Sequence, residues 1–203
     1  FRIRCGLSAA ASHESSYGGC RVKQMARSDI LADKTVLAVD DEPDVLETLR
    51  EILEDHKNLV LHTATDFDHG RQLLYSHNYD IVILDIMGVQ GFDLLKIASN
   101  RGFPVVMLTA HAVNPEALKR SIELGAGAYL PKERLDSLPG FLEDILRRSY
   151  SSVWRRAFHD LLGLFDERFG SNWRKSEQQF WTEFEKNLQV EEPVIISRKE
   201  EEK

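Results

Sequence analysis

The chain has 203 residues, of which 42% are hydrophobic and 29% are charged, and these fractions are close to those of globular proteins. No apolar run approaches the roughly 18 residues that a membrane span needs, so no membrane partner is expected. The formal net charge of −7 argues against a nucleic-acid partner, because binding to phosphates requires clustered Lys and Arg.

The N-terminal stretch differs in composition from the rest of the chain. Residues 1–33 are rich in Ser, Ala and Gly and have no sustained apolar period, which predicts a disordered leader. Both cysteines, Cys5 and Cys20, lie in this stretch and do not form the pattern of a disulfide framework. The sequence therefore favours a reducing compartment, and we expect a cytoplasmic location.

Short apolar runs alternate with amphipathic stretches from residue 34 to about residue 150, which predicts one α/β domain with a parallel sheet. The third apolar run has no polar residue, as is typical of a central strand covered by helices on both faces. The predicted strands are Thr35 to Val39, Leu59 to Ala64, Ile81 to Leu84, Val105 to Leu108 and Ala128 to Leu130.

Amphipathic stretches follow each predicted strand and indicate the crossover helices of a doubly wound sheet. Asn114, Pro115 and Glu116 form the clearest helix start, because Asn caps free amides, Pro fits the first turn and Glu suits the positive helix end. The predicted helices are Asp44 to Asp55, Asp66 to Ser76, Gly91 to Asn100, Asn114 to Leu124 and Leu138 to Arg148.

The C-terminal part of the chain contains no further strand pattern. Apolar side chains recur at helical spacing on both sides of Gly170, which predicts two amphipathic helices within residues 151–190. Residues 191–203 end in a wholly charged run and are predicted to be a charged tail. Residues 151–203 hold 9 Lys and Arg against 11 Asp and Glu, so a DNA-binding output domain is not expected.

Five polar residues stand at the carboxyl ends of the predicted strands: Asp40, Asp41, Asp85, Thr109 and Lys132. In open α/β sheets, ligands bind at this edge where the strand order reverses. If the first and third strands are neighbours, their carboxylates converge, and a positive charge must offset the repulsion. Mg²⁺ prefers oxygen ligands and can supply this positive charge. Together with the ammonium group of the lysine, it can neutralise the oxygens of a phosphoryl group that is transferred to Asp85.

Four ordered segments resemble those of the CheY-like response-regulator receiver domains of two-component signalling systems. The resemblance covers residues 35–148 and implies the flavodoxin-like strand order 2-1-3-4-5. The segments are Val36 to Pro43, Ile83 to Met87, Val106 to Ala110 and Gly125 to Lys132.

The resemblance also implies roles for individual residues. It implies that Asp85 is the phosphoacceptor and that Thr109 and Lys132 bind the phosphoryl oxygens. It further implies that Tyr129 is an aromatic switch that moves when Thr109 moves. A Mg²⁺ ion is implied with four ligands: Asp41, Asp85, the backbone carbonyl of Met87, and Asp40 through water.

The chain departs from the family pattern at two points. The family loop after the phosphoacceptor carries a proline and reaches its glycine after eight residues, whereas Gly91 follows Asp85 by six without a proline. The family also places proline directly after the lysine, whereas Pro131 precedes Lys132 and Glu133 follows it. Neither departure removes a side chain that phosphorylation needs.

The resemblance predicts a response regulator that acts in phosphorelay signal transduction and is phosphorylated by a sensor histidine kinase or a phosphotransfer protein. It is not expected to be an enzyme beyond slow self-phosphorylation and self-dephosphorylation. The helical extension is expected to form a homodimer or to dock a partner. The alternative is a degenerate receiver, which keeps the fold and binds partners without phosphate.

A phosphatase of the haloacid-dehalogenase type is a second alternative, because it also uses an aspartate nucleophile and magnesium. Its hallmark is two aspartates separated by one residue after the first strand. In this chain Asp40 and Asp41 are adjacent, and the predicted nucleophile follows the third strand instead. The spacing therefore favours the receiver.

Overall fold

Five parallel strands form one sheet, in a computed structural model that describes residues 29–110, 115–147, 154, 158, 162, 165–170 and 172–189. Their order is β2-β1-β3-β4-β5, which confirms the predicted doubly wound, flavodoxin-like fold. The change of direction between β1 and β3 creates the crevice in which such sheets bind ligands. The strands are β1 (Thr35–Val39), β2 (Val60–Ala64), β3 (Ile81–Asp85), β4 (Val105–Thr109) and β5 (Ala128–Pro131).

Helices connect the strands close to the predicted positions. Asp66 caps the second helix by accepting a hydrogen bond from the backbone amide of His69, as its position in the sequence indicates. The predicted cap of the fourth helix, Asn114, and the predicted last residue of the fifth, Arg148, lie outside the described residues. The helices are α1 (Pro43–Leu53), α2 (Phe67–Ser76), α3 (Gly91–Asn100), α4 (Pro115–Glu123) and α5 (Leu138–Arg147).

The core lies on both faces of the sheet. Apolar side chains from α1 and α5 pack on one face, and those from α2, α3 and α4 pack on the other. All five residues of β3 are buried, as expected for a central strand. This double covering leaves the carboxyl edge of the sheet as the place where polar side chains gather.

The ordered domain begins before residue 34, which corrects the predicted boundary of the leader. Residues 29–33 form a turn, and Leu31 within it is fully buried in the cluster shared with α1 and α5. His56 Nδ1 lies 2.9 Å from Asp29 Oδ1 and ties this turn to the loop after α1. Residues 1–28, which make up the rest of the predicted leader, lie outside the described residues.

The C-terminal extension is helical where the structure describes it. Residues 165–169 are helical, a 3-10 helix spans Trp173–Glu177, and helix α6 spans Gln178–Leu188. Most of residues 148–164 and the predicted charged tail lie outside the described residues. In the described part of the chain, no helix is long and apolar enough to cross a membrane.

Candidate functional site

The predicted site residues meet at the carboxyl edge of the sheet. Asp85 and Thr109 are the last residues of β3 and β4, while Asp40 and Lys132 directly follow β1 and β5. Asp40, Asp85 and Thr109 are buried, with exposed fractions of 1%, 3% and 4%. Polar residues are rarely so buried unless they are paired, so this edge is organised around their contacts.

The ammonium group of Lys132 is the centre of the site. Its Nζ lies 2.8 Å from Asp40 Oδ2 and 3.0 Å from Asp85 Oδ1. It also lies 2.8 Å from Glu42 Oε1, so three carboxylates surround one cation. Burial lowers the pKa of Lys132, but its hydrogen bonds to Asp40, Glu42 and Asp85 together raise that pKa above its ordinary value. Lys132 is therefore charged at neutral pH.

Asp40 is the most deeply buried carboxylate of the site. Burial raises the pKa of Asp40 above its ordinary value, and this effect outweighs the hydrogen bonds from Lys132 and from the Glu42 backbone amide. Its Oδ1 accepts both of these hydrogen bonds, each at 3.0 Å. Its Oδ2 touches Lys132 but accepts no hydrogen bond of good geometry from the described residues. The Lys132 ammonium is thus the positive charge that this buried oxygen contacts.

The two oxygens of Asp85 have different surroundings. Oδ2 accepts hydrogen bonds from the backbone amides of Met87 and Gly88, each at 2.8 Å, whereas Oδ1 faces Lys132. The loop between β3 and α3 is short, and α3 begins at Gly91 directly against the end of β3. A Cβ at Gly91 would overlap the Asp85 carbonyl oxygen, so a side chain there would push the helix away.

Asp41 lies at the rim of the site, where it is exposed and packed against the backbone of Gly88. A Cβ at Gly88 would overlap the Asp41 carboxylate, so this loop position has to be glycine while Asp41 keeps its place. The Met87 side chain is 83% exposed and takes no part in the buried cluster. The main chain at Gly88, and not the Met87 side chain, therefore lies against Asp41.

Thr109 and Tyr129 lie beside the acidic cluster. Thr109 Oγ1 donates to the carbonyl of Ala110 at 3.4 Å, a long and weak hydrogen bond. Burial raises the pKa of Tyr129 to about 12. The negative charge of Asp85 also raises this pKa, whereas the Thr109 side chain lowers it. The Tyr129 hydroxyl has no hydrogen-bond partner of good geometry in the described part of the chain. Both hydroxyl groups are thus weakly held.

The chemistry of these side chains fits Mg²⁺, although they do not form a ready-made metal cluster. Carboxylate oxygens at strand ends are hard donors, and Asp40 Oδ2, which contacts Lys132 without a well-directed hydrogen bond, is one of them. Among the described residues, no three His, Cys, Asp or Glu side chains form a group that could hold a metal ion, and the three carboxylates that do meet are paired with Lys132. Asp41 is turned toward Gly88 and would have to turn back to complete such a group.

Glu42 is a site residue that the sequence reasoning missed. Its carboxylate is 58% exposed and pairs with Lys132 from the outer side of the cluster. The signal was present in the sequence, since Glu42 extends the acidic run that follows β1. Only the folded structure shows that this third acid shares the cation of the other two.

Comparisons with known proteins identify the family of the strand-and-helix domain. The family model described as the response regulator receiver domain matches residues 36–139. A protein-glutamate methylesterase/protein-glutamine glutaminase of Photorhabdus laumondii is 34% identical over 113 residues, which cover 53% of this chain and 32% of that protein. The transcriptional regulatory protein CusR of Escherichia coli is 35% identical over 101 residues, or 48% of this chain and 44% of CusR.

A solved structure shows the same fold. The crystal structure of a two-component response regulator from Clostridium difficile matches with a TM-score of 0.52 at 24% identity. The match covers 57% of this chain and 97% of that structure. The chain spans less than half the length of the two curated relatives, so the likeness concerns one domain of each.

Proposed function

We propose, from the premise that this chain belongs to the response regulator receiver domain family, that Asp85 accepts a phosphoryl group in two-component signal transduction. The donor would be a sensor histidine kinase or a phosphotransfer protein. The observation that carries the proposal is the Lys132 ammonium, which bridges the buried carboxylates of Asp40 and Asp85. A fixed cation beside a carboxylate at the switch point of the sheet is suited to phosphoryl transfer.

Asp85 acts as the nucleophile in this proposal. Its backbone-bound Oδ2 fixes the carboxylate, and its Oδ1, which faces Lys132, attacks the phosphorus atom. A new bond forms between Oδ1 and phosphorus while the bond from phosphorus to the donor breaks, and the donor keeps that electron pair. Lys132 stabilises the phosphoryl oxygens, and Thr109 donates its weakly bound hydroxyl to them.

Mg²⁺ is the proposed cofactor. Asp41, Asp85 and the Met87 carbonyl would hold it directly, with Asp40 acting through water. When bound, the ion neutralises negative charge on the phosphoryl oxygens and on the crowded carboxylates. The protein itself supplies the buried position of Asp85 and the positive charge of Lys132.

Signal output follows from a rearrangement of Thr109 and Tyr129. Thr109 turns toward the phosphoryl group, and Tyr129, whose hydroxyl has no described partner, moves into the space that Thr109 leaves. The protein acts as a cytoplasmic regulator and not as an enzyme, beyond slow self-phosphorylation and self-dephosphorylation. The C-terminal helices serve dimerisation or partner docking, which mass measurements in solution with and without a phosphoryl mimic would detect.

The test is to incubate the protein with Mg²⁺ and a small phosphodonor and to locate the added mass by peptide mapping. One phosphoryl group is expected on the peptide that contains Asp85. The Asp85→Asn variant should gain none, and Asp68→Asn, which alters an exposed carboxylate on α2, should react like the wild type. Phosphoryl transfer to another residue in the wild type would refute the proposal.

A degenerate receiver is the second candidate, and one observation favours it. The metal ligands are not grouped in the described residues, and Asp41 lies against Gly88. This candidate predicts that the wild type and Asp85→Asn bind a partner equally well with and without a phosphodonor. Partner binding that changes only in the wild type would exclude it.

A further inference from the structure

The C-terminal extension shares a hydrophobic core with the sheet face that carries α4. Trp154, Phe158, Phe184 and Leu188 belong to the same buried cluster as Leu118 and Ile122 of α4. The indole Nε1 of Trp154 donates a buried hydrogen bond of 2.9 Å to the carbonyl oxygen of Ala126, in the loop between α4 and β5. A buried and paired indole of this kind indicates specific packing rather than a loose contact.

A charged contact on α4 holds the beginning of α6. Lys119 Nζ lies 3.0 Å from Glu177, which directly precedes α6, and 3.6 Å from Glu123 on its own helix. The same ammonium lies 5.3 Å from the centre of the Phe180 ring. One lysine side chain therefore contacts both a carboxylate and an aromatic ring of the extension.

Helix α6 has one buried face and one exposed face. Trp181, Phe184 and Leu188 are buried, whereas Thr182 and Glu183 are exposed. Phe184 packs edge-on against Trp154 with ring centres 5.7 Å apart. The aromatic face that the sequence predicts for docking is thus covered by the protein's own chain.

Tyr129 connects this covered face to the acidic site. It is buried in the same cluster as Trp154 and Phe184, and its pKa is influenced by Thr109 and Asp85. Movement of Tyr129 toward Asp85 would withdraw its ring from the cluster that supports the extension. Packed clusters tolerate such a loss poorly, because the neighbouring side chains lose contacts.

We propose that the C-terminal segment, composed of Trp154, Phe158 and residues 165–170 and 172–188, is a built-in ligand of the sheet face that carries α4, and that phosphorylation of Asp85 releases it. The docking part rests on the contacts of Lys119 and Trp154. The release part rests on the proposed function as well. Release exposes the aromatic face of α6, on which Trp181, Phe184 and Leu188 are buried while the segment is docked.

Hydrogen exchange of the full-length chain, followed by mass spectrometry, tests the docking. Lys119→Glu and Glu177→Lys should each speed amide exchange in α6 about five-fold, because a partly exposed ion pair is weak and its reversal is repulsive. The double variant should recover most of the protection. Lys96→Glu, which reverses a charge on α3, is the matched control and should leave α6 unchanged. Unchanged exchange in both single variants, or no recovery in the double variant, overturns the docking.

The release is tested on the same chain with Mg²⁺ and a small phosphodonor, with the phosphoryl content of each sample measured by mass. Phosphorylated wild type should exchange α6 about as fast as Lys119→Glu does, and Asp85→Asn should not change. Slow exchange in phosphorylated protein overturns the release but leaves the proposed function intact. A wild type that gains no phosphoryl group overturns the proposed function and the release together, while the charge-reversal variants still decide the docking.

Discussion

Replacing Lys132 with methionine tests how far the acidic site depends on a single cation. Methionine keeps the length of the side chain and removes only the ammonium group. The variant leaves Asp40 and Asp85 buried and without their shared cation, while Glu42 is exposed enough to be solvated by water. Removing one partner of a buried ion pair costs about 3–5 kcal/mol, and a loss in this range is expected.

The loss should depend on pH in a defined direction. Burial already raises the pKa of Asp40, and the loss of Lys132 raises that pKa further, because Lys132 acts to lower it. When the pKa of a carboxyl group is higher in the folded state than in the unfolded state, the free energy of unfolding falls as the pH rises from the lower pKa to the higher one. The deficit of Lys132→Met should therefore be smaller at about pH 5 than at about pH 8.

Urea unfolding at the two pH values measures this deficit. Lys34→Met is the matched control, because Lys34 pairs with Asp80 at the surface, where each side chain is about one third exposed. Asp80 also keeps its hydrogen bond from the Thr35 amide, so the control should lose no more than about 1 kcal/mol. The reasoning is wrong if Lys132→Met loses no more than the control, or if its deficit shrinks as the pH rises.

Three further substitutions test other contacts. Trp154→Phe leaves the Ala126 carbonyl without its indole donor and should lower the free energy of unfolding by about 1–3 kcal/mol in urea titrations; an unchanged value would argue against the buried hydrogen bond. Tyr129→Phe removes a hydroxyl that has no described partner, so thermal unfolding should show equal or higher stability, and a loss above about 1 kcal/mol would contradict this. Gly88→Ala should displace the Asp41 carboxylate from Gly88, which is the movement that Mg²⁺ binding requires, so Mg²⁺-dependent phosphorylation should be at least as fast as in the wild type. Labelling that is about ten-fold slower would show that Asp41 has to lie against Gly88 to hold the metal.

The strands and most helices could be predicted because apolar periodicity reports directly on burial. Helix α3 spans Gly91–Asn100 as predicted, and the predicted strand boundaries differ from the observed ones by no more than one residue. The alignment of polar residues at strand ends was predicted for a related reason. Parallel strands share an edge, so the residues that follow them in sequence become neighbours in space.

Other features could not be predicted because they depend on contacts between distant segments. Leu31 lies in the three-residue apolar run Ile30 to Ala32, which is too short to show a period that would mark it as buried. The apolar faces of the C-terminal helices were predicted, but nothing in their spacing identifies the α4 face as the surface that covers them. The short loop is visible in the sequence, whereas the contact between Gly88 and the Asp41 carboxylate arises only when the chain has folded.

Asp40 and Lys132 are 92 positions apart along the chain, and they become neighbours only when β1 and β5 have joined the same sheet. A synthetic peptide that carries Asp85 and its loop should therefore be inert toward phosphodonors. During synthesis, a kinase would have no competent target until β5 had left the ribosome. Under the proposed function, labelling of Asp85 would therefore also report that β1 and β5 have joined the same sheet.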